Sequence, residues 1–558
     1  LSGIISGAGD IAVSGAGTLT LSGNNTFSGG TVLNSGSLNL GSPGALSTVG
    51  TVIFNGGVLQ YSPSNQTDYS GRFSTASNQV YKIDTNSEGV TFSAPLNSAG
   101  TLLEKIGEGK LIFSDLSRFT AGGFTTTISG GDLVLPTNDP SLLTANSLFS
   151  GAGTLRIEPI SPSFGSNITL SSLSFGSGIF GGVTGSTFGS LVLGKSGNAV
   201  DLLLDGLPSN VSVNSDQTYY GSEVTVPSGA NVGVRTFAGG TLSLIAQTDI
   251  HIYDTINVTG AGGVILKTSQ DTAVGGTGTY DLGAYYDANT GSAGHLGKIN
   301  FDGTVGQFFK TQDGSTAANL KDYTLASSLD VLKDGSRSGY FALSADINAA
   351  SFHGTDANSN PVYYSSVVDG TFTGIFAGLG HEISNLQLTN AHAYTGMFAQ
   401  ISSATIQDIA LSSFSVSAPN HFTGSLVGRA HGTVELAGII LKNSSISSPN
   451  HNYIGGLIGY SDYGTILNSW IINTQVAGHY MTGGIAGRSL FSTVTNVHNV
   501  NSSVTATGNH HTGGLFGDMY NQTSTVISNS SSSGNITSNQ QQVGGLVGRF
   551  SGSLVNSY

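Results

Sequence analysis

Five histidines, His392, His421, His451, His479 and His510, each stand a few residues ahead of a short glycine phrase. The phrase is degenerate in its first copy, Gly396-Met-Phe-Ala399. It then reads Gly424-Ser-Leu-Val-Gly428, Gly455-Gly-Leu-Ile-Gly459, Gly483-Gly-Ile-Ala-Gly487, Gly513-Gly-Leu-Phe-Gly517 and Gly544-Gly-Leu-Val-Gly548. Imidazoles repeated at one place in stacked units could ligate a metal or report pH, because neighbours a strand spacing apart repel when protonated. Stacking also sets like residues above like, and no carboxylate recurs beside the histidines to complete a ligand set, which favours a structural role. His511 and the Gln540-Gln-Gln542 run show that the column is not strict.

Aromatic residues precede the phrases in the same way: Tyr394, Phe422, Tyr453 and Tyr480. Exposed, they could stack on sugars; buried, they fill a corner of the core, which is the preferred reading. A third column is Asn385, Asn468, Asn496 and Asn556, with Asp408 in the same place in one copy. Asparagine ladders cap backbone donors and hydrogen-bond along a stack. Catalytic patterns are weaker. His381-Glu-Ile-Ser-Asn385 begins like H-E-x-x-H but carries Asn where the second zinc-binding His must stand, in strand-like sequence. Asp330, Asp334, Asp346, Asp356 and Asp369 leave paired-carboxylate sugar cleavage open, against the plainer reading of solvated loop acids or calcium ligands. No catalytic, cofactor or metal site is assigned.

The elements that must carry these residues follow from periodicity. The last glycines of the phrases recur at 31, 28, 30 and 31 residues, the signature of a solenoid. Upstream, glycine followed by alternating apolar residues recurs: Gly17-Thr-Leu-Thr-Leu21, Gly36-Ser-Leu-Asn-Leu40, Gly109-Lys-Leu-Ile-Phe113, Gly131-Asp-Leu-Val-Leu135 and Gly153-Thr-Leu-Arg-Ile157. Each reads as a turn and a short strand whose apolar side chains share one face. The fold expected is all-β: a right-handed parallel β-helix rod with an irregular inserted region. Its divisions are 1–140 and 141–267 as β-helix coils, 268–370 as the insertion, and 371–558 as the glycine-phrase coils. Leu320, Leu325, Leu329 and Leu332 give partial helical spacing inside the insertion, compatible equally with a loop packed on the wall.

Composition agrees. Charged residues are 9% of the chain, against roughly 25% in ordinary domains, while glycine supplies 82 of 558 positions. Leu, Ile, Val and Phe recur throughout, which separates the chain from disordered Gly/Ser tracts. A net charge of −14 without an acidic block argues against nucleic acid as a partner. No cysteine is present, and no apolar run is long enough to span a bilayer as a helix. Both ends read as cut from a longer precursor whose signal peptide has been removed.

The stretch from Gly15-Ala-Gly-Thr-Leu-Thr-Leu to Gly41, with a looser copy from Gly100 to Leu135, resembles the strand repeat of bacterial autotransporter passenger domains. Gly240-Thr-Leu-Ser-Leu-Ile-Ala-Gln-Thr-Asp-Ile-His-Ile252 with Gly262-Gly-Val-Ile-Leu-Lys267 resembles filamentous-haemagglutinin-type coils of two-partner secretion exoproteins. The glycine phrases resemble GLUG repeats, and Tyr340 to Ile347 with Phe372 to Leu386 resembles their lead-in. The resemblance implies a Gram-negative surface or secreted protein, exported through an outer-membrane transporter and folded outside. The function expected is a non-catalytic adhesin or surface fibre that binds a receptor, glycan or matrix on host or neighbouring cells. A self-polymerising filament and a β-helical polysaccharide-degrading enzyme are the alternatives.

Overall fold

Strand alternation with small turn residues lets each short strand bury every second side chain, and the buried stripe is satisfied only by stacking on the next coil. The computed structural model has this arrangement: a β-helix built from parallel ladders. It describes the chain except residues 101, 118, 120–124, 141–147, 174–185, 207–210, 214, 230–234, 237–238, 271–277, 303–305, 312–319, 356–360, 390–392, 491, 509, 521–524 and 540–541. Two compact units form, one from Leu1–His251, Thr259–Tyr280 and Thr311–Leu320, the other from Ile252–Val258, Asp281–Lys310 and Lys321–Tyr558.

In the first unit Thr18–Leu21 pairs in parallel with Ser37–Leu40, which pairs with Val58–Gln60 and so on through Val80–Asp84, Leu102–Ile106 and Thr125–Ile128. Polar side chains on the wall repeat the coil length: Asn39 donates to Gln60, 21 residues on, and Gln60 to Asp84, 24 on. The inward row reads Leu38, Leu59, Ile83, Lys105 and Ile128. Lys105 stands in the core because its ammonium donates to the carbonyls of Ile106, Gly107 and Gly130, and burial draws its pKa down to about 8.

Each coil of the second unit carries more strands. One coil holds Asn452–Gly455, Ile458–Ser461, Gly464–Ile472 and Gln475–Gly478, and each pairs in parallel with its equivalent on the next coil. One glycine phrase therefore marks one coil. Phe376, Ile406, Leu436, Ile466, Val494 and Ile527 form a single inward row, all but fully buried.

The antiparallel ladders among the described residues lie within 268–370: Ala284–Asp287 with Ser292–His295, Gln307–Thr311 with Lys321–Ala326, and Gly354–Thr355 with Pro361–Val362. The leucine spacing from Leu320 makes only a short helix, Leu329–Asp334; Lys321–Ala326 is strand, with Tyr323 and Leu325 buried.

Candidate functional site

The glycine phrase is shaped by backbone contact. A Cβ on Gly455 would strike the carbonyl of Ile458, one on Gly456 the carbonyl of Gly484, and one on Gly459 would lie 2.5 Å from the carbonyl carbon of Phe422 and the nitrogen of Thr423. At Ser425, which stands where other copies have their second glycine, the hydroxyl donates to the carbonyl of Gly456 at 2.6 Å. The last glycine thus lets one coil press on the corner just before the phrase of the preceding coil, where the histidines and aromatics lie.

Register resolves that corner into separate rows. Thr395, Thr423 and Ile454 pair in sequence, and Ile454, Thr482 and Thr512 continue the row. Tyr394, Phe422, Tyr453 and Met481 therefore align, whereas Asn452 aligns with Tyr480. This corrects the single columns expected from sequence: Tyr480 stands one row away from the other aromatics, and His421 aligns with Asn452, not with His451. The reason is that the histidines precede their glycines by unequal distances, so a one-residue step separates His421 and His510 from His451 and His479. His392 lies outside the described residues.

The geometry of each is specific. His421 is exposed and accepts the backbone N–H of Asn452 on Nδ1 at 3.0 Å. Its ring meets that of His451 edge-on at 5.1 Å. Partial burial, then the charges of His421 and His479, hold the His451 pKa below the ordinary value. His479 packs on Tyr480 at 4.0 Å, and Tyr480 meets His510 at 5.0 Å. Among the described residues no group of three His, Cys, Asp or Glu is arranged to hold a metal.

Phe422 and Tyr453 are left-handed, with φ of 58° and 64°, an unusual state for a bulky side chain. Their rings stack at 4.9 Å and 8°, Tyr394 continues the stack at 5.3 Å, and Tyr460 meets Phe422 and Tyr453 at near right angles. Mutual stacking holds the corner together against its backbone strain.

The asparagines also divide. Asp408, Gly438, Asn468, Asn496, Asn529 and Asn556 share one left-handed corner, each with φ between 45° and 63°. Asn385 belongs to a different corner, aligned with Ser413, Asn443, Asn473 and Asn501. Asn496 donates to the Asn468 side chain at 2.8 Å, and Asn385 to Asn348 at 3.1 Å.

His381 is buried, with Nδ1 3.0 Å from Asp346 and Nε2 2.9 Å from the carbonyl oxygen of Ile299, so both ring nitrogens are engaged. Asp346 also receives Lys298 Nζ and the Glu382 N–H, each at 3.0 Å; the His381 bond is the largest influence holding its carboxyl well below the usual range. Asp330 lines a cavity of about 160 Å³ with His353 and Tyr364. Asp356 lies outside the described residues.

One arrangement went unread in the sequence. The residue after the last glycine of each phrase is Arg429, Tyr460, Arg488, Asp518 or Arg549, and these five pair in register down one sheet. The guanidinium groups of Arg429 and Arg488 lie 5.7 Å and 5.9 Å from the ring centre of Tyr460. Asp518, fully buried, lies 3.1 Å from Arg488 and binds Arg549 through both oxygens at 2.9 Å. The signal was the Gly-Arg dipeptide repeated at positions 428, 487 and 548.

The family model described as passenger-associated-transport-repeat matches residues 12–40 and 103–135. Over those stretches the chain is autotransporter-passenger-like, and such repeats imply an exported, surface-associated protein. Halomucin of Haloquadratum walsbyi is 28% identical over 186 residues, which is 31% of this chain and 2% of that protein. The chain thus spans a small fraction of the relative's length. No solved structure matches. No helix among the described residues is long and apolar enough to cross a membrane.

Proposed function

We propose that this chain is the extracellular part of a bacterial adhesin or surface fibre, exported across the outer membrane and without catalytic activity. The observation that carries the reading is the pair of passenger-associated repeats at 12–40 and 103–135, set in parallel coils. Coils of this kind can form one after another as a chain emerges, each burying its apolar stripe on the last. A repeated wall presents the same groups many times, so weak contacts add through avidity. The GLUG-type and haemagglutinin-type resemblances belong to this proposal, as do a host-cell, matrix or sister-cell partner and an outer-membrane transporter.

The test is binding of the purified, fluorescently labelled chain to epithelial cells, immobilised matrix and sister cells, against a β-helix of unrelated wall. Saturable binding to any of them supports an adhesive role. Failure to bind all three overturns it.

A further inference from the structure

We infer that the row Arg429, Tyr460, Arg488, Asp518 and Arg549 is a binding stripe for a linear acidic glycan carrying one carboxylate per disaccharide. This rests on the adhesive reading and names the ligand class it would serve.

The stripe lies on the outer side of one sheet. The Arg429, Arg488 and Arg549 side chains remain 35%, 25% and 32% exposed. The groups facing them are Asp462, 3.4 Å from Arg429, Tyr394, bonded to Arg429, Asp518, shared by Arg488 and Arg549, and Tyr520, whose ring centre lies 4.6 Å from the Arg549 guanidinium. Three guanidiniums against two carboxylates leave one excess cation on a chain whose net charge is −14. The Arg429 guanidinium bonds the Tyr394 side chain, a neutral partner, and its contact with Asp462 is a long one, 3.4 Å through Nη2, so its charge is only partly compensated. Tyr460 and the two aspartates hold the guanidinium planes in place, so little side-chain freedom is lost on binding.

Spacing selects the ligand. The arginines occur on alternate coils, and coils lie about 4.8 Å apart, so guanidinium groups repeat at about 9.6 Å, with Arg488 and Arg549 sharing Asp518 and Arg429 lacking a bidentate protein partner. That is close to the length of one disaccharide in an extended glycan. A guanidinium fork matches a planar carboxylate through two parallel N–H bonds. Nucleic acid fits poorly, because its charges are far denser than one per two coils and the chain's overall charge repels it.

The experiment titrates hyaluronan decasaccharide, which carries one carboxylate per disaccharide, into the full chain at physiological salt. The controls are the same oligosaccharide with its carboxyls reduced to alcohols, and single-stranded DNA. The variants are Arg429→Gln with Arg488→Gln, which keeps the Arg549 pairing of Asp518, and Asp462→Asn, which frees a fork. We expect the double variant to weaken hyaluronan binding by about tenfold or more, Asp462→Asn to tighten it, and the reduced sugar not to bind. Circular dichroism of the variants separates lost binding from lost folding. Three results overturn the inference: no binding of hyaluronan by the parent chain, equal binding of the reduced sugar, or DNA binding that is as tight and equally arginine-dependent. If cell binding persists in the double variant, the adhesive role stands and this stripe is not its site.

Discussion

The Nε2–H of His295 donates to the carbonyl oxygen of Gly438 at 2.9 Å, joining residues 143 apart in the chain. The bond fastens the hairpin Ala284–Asp287/Ser292–His295 onto the outer wall, where Ala284, Tyr286 and Ala293 pack over Ala410, Ile440, Trp470 and Ile472. Lys442 adds a longer bond to the carbonyl of Ala293 at 3.4 Å. An apolar patch on an outward face is thereby covered by the chain's own insertion.

Loosening that hairpin should be visible, because Trp470 is the only tryptophan in the chain and lies beneath it. His295→Ala removes the bond and should cost about 1–2 kcal/mol in the second unit. Trp470 emission should shift to the red and become more accessible to acrylamide. Unchanged emission and quenching would show that the packing alone holds the hairpin.

The same residue sets a pH window. Burial is the main cause that draws the His295 pKa down to about 4, below its ordinary 6.5. A group whose folded pKa is depressed gives stability that is fully present above the unfolded value and is lost as pH falls toward the folded one. Stability in urea, followed by Trp470 fluorescence, should therefore decline between about pH 6.5 and 4, by about 3 kcal/mol. His295→Gln retains a donor without a titrating group and should flatten that window. His498, stacked on Trp470 at 5.6 Å, should be replaced by Gln in both proteins, so that its own protonation does not quench the signal.

Glycine positions inside and outside the phrase should differ sharply. Gly459→Ala places a methyl 2.5 Å from the backbone of Phe422 and Thr423, and neither can withdraw without parting two coils. A cost of about 3 kcal/mol or more in urea unfolding is expected. Gly89→Ala, in an interior coil outside the phrases, meets nothing within 4 Å and should lie within about 0.5 kcal/mol of the parent. Equal costs at the two positions would contradict the close-approach explanation.

The coil was legible because its cause is local: alternation buries a stripe, and glycine marks each backbone crossing. What escaped depended on register. Unequal spacing between histidine and glycine shifts His421 one row from His451, and the bridge between Thr423 and Ile454 makes that visible. Lys105 sits in an inward row among Ile83 and Ile128, where alternation alone calls for an aliphatic residue. Carbonyls from two coils satisfy it, and those lie beyond the reach of a local pattern. The arginine stripe was present as a repeated dipeptide, but its meaning required knowing that the residue after the last glycine points outward.

Asp518 should be the most sensitive charge in the second unit. Its side chain is fully buried between Arg488 and Arg549, which both retain contact with water. Asp518→Ala leaves two guanidiniums facing each other without a counter-charge, and a loss of about 2–3 kcal/mol is expected. Adding Arg488→Gln to Asp518→Ala removes the repulsion and should recover part of that loss, a coupling that a double-mutant cycle in urea would read. Additive costs would mean that the two arginines do not share the carboxylate in solution.

The left-handed corner offers the cleanest separation of backbone from side chain. Asn496, at φ of 56°, both tolerates that conformation and donates to Asn468 at 2.8 Å. Asn496→Gly keeps the conformation and loses only side-chain bonds, that to Asn468 and that between its Oδ1 and His498 Nε2 at 2.8 Å, so it should cost about 1–2 kcal/mol. Asn496→Ala loses the same two bonds and strains the backbone as well, so it should cost about 1–2 kcal/mol more than the glycine variant. Gly438 already occupies the same corner two coils earlier, which shows that the stack accepts glycine there. Thermal unfolding of the two variants decides the point: if alanine is no worse than glycine, the ladder of amides and not the left-handed turn selects asparagine at this corner.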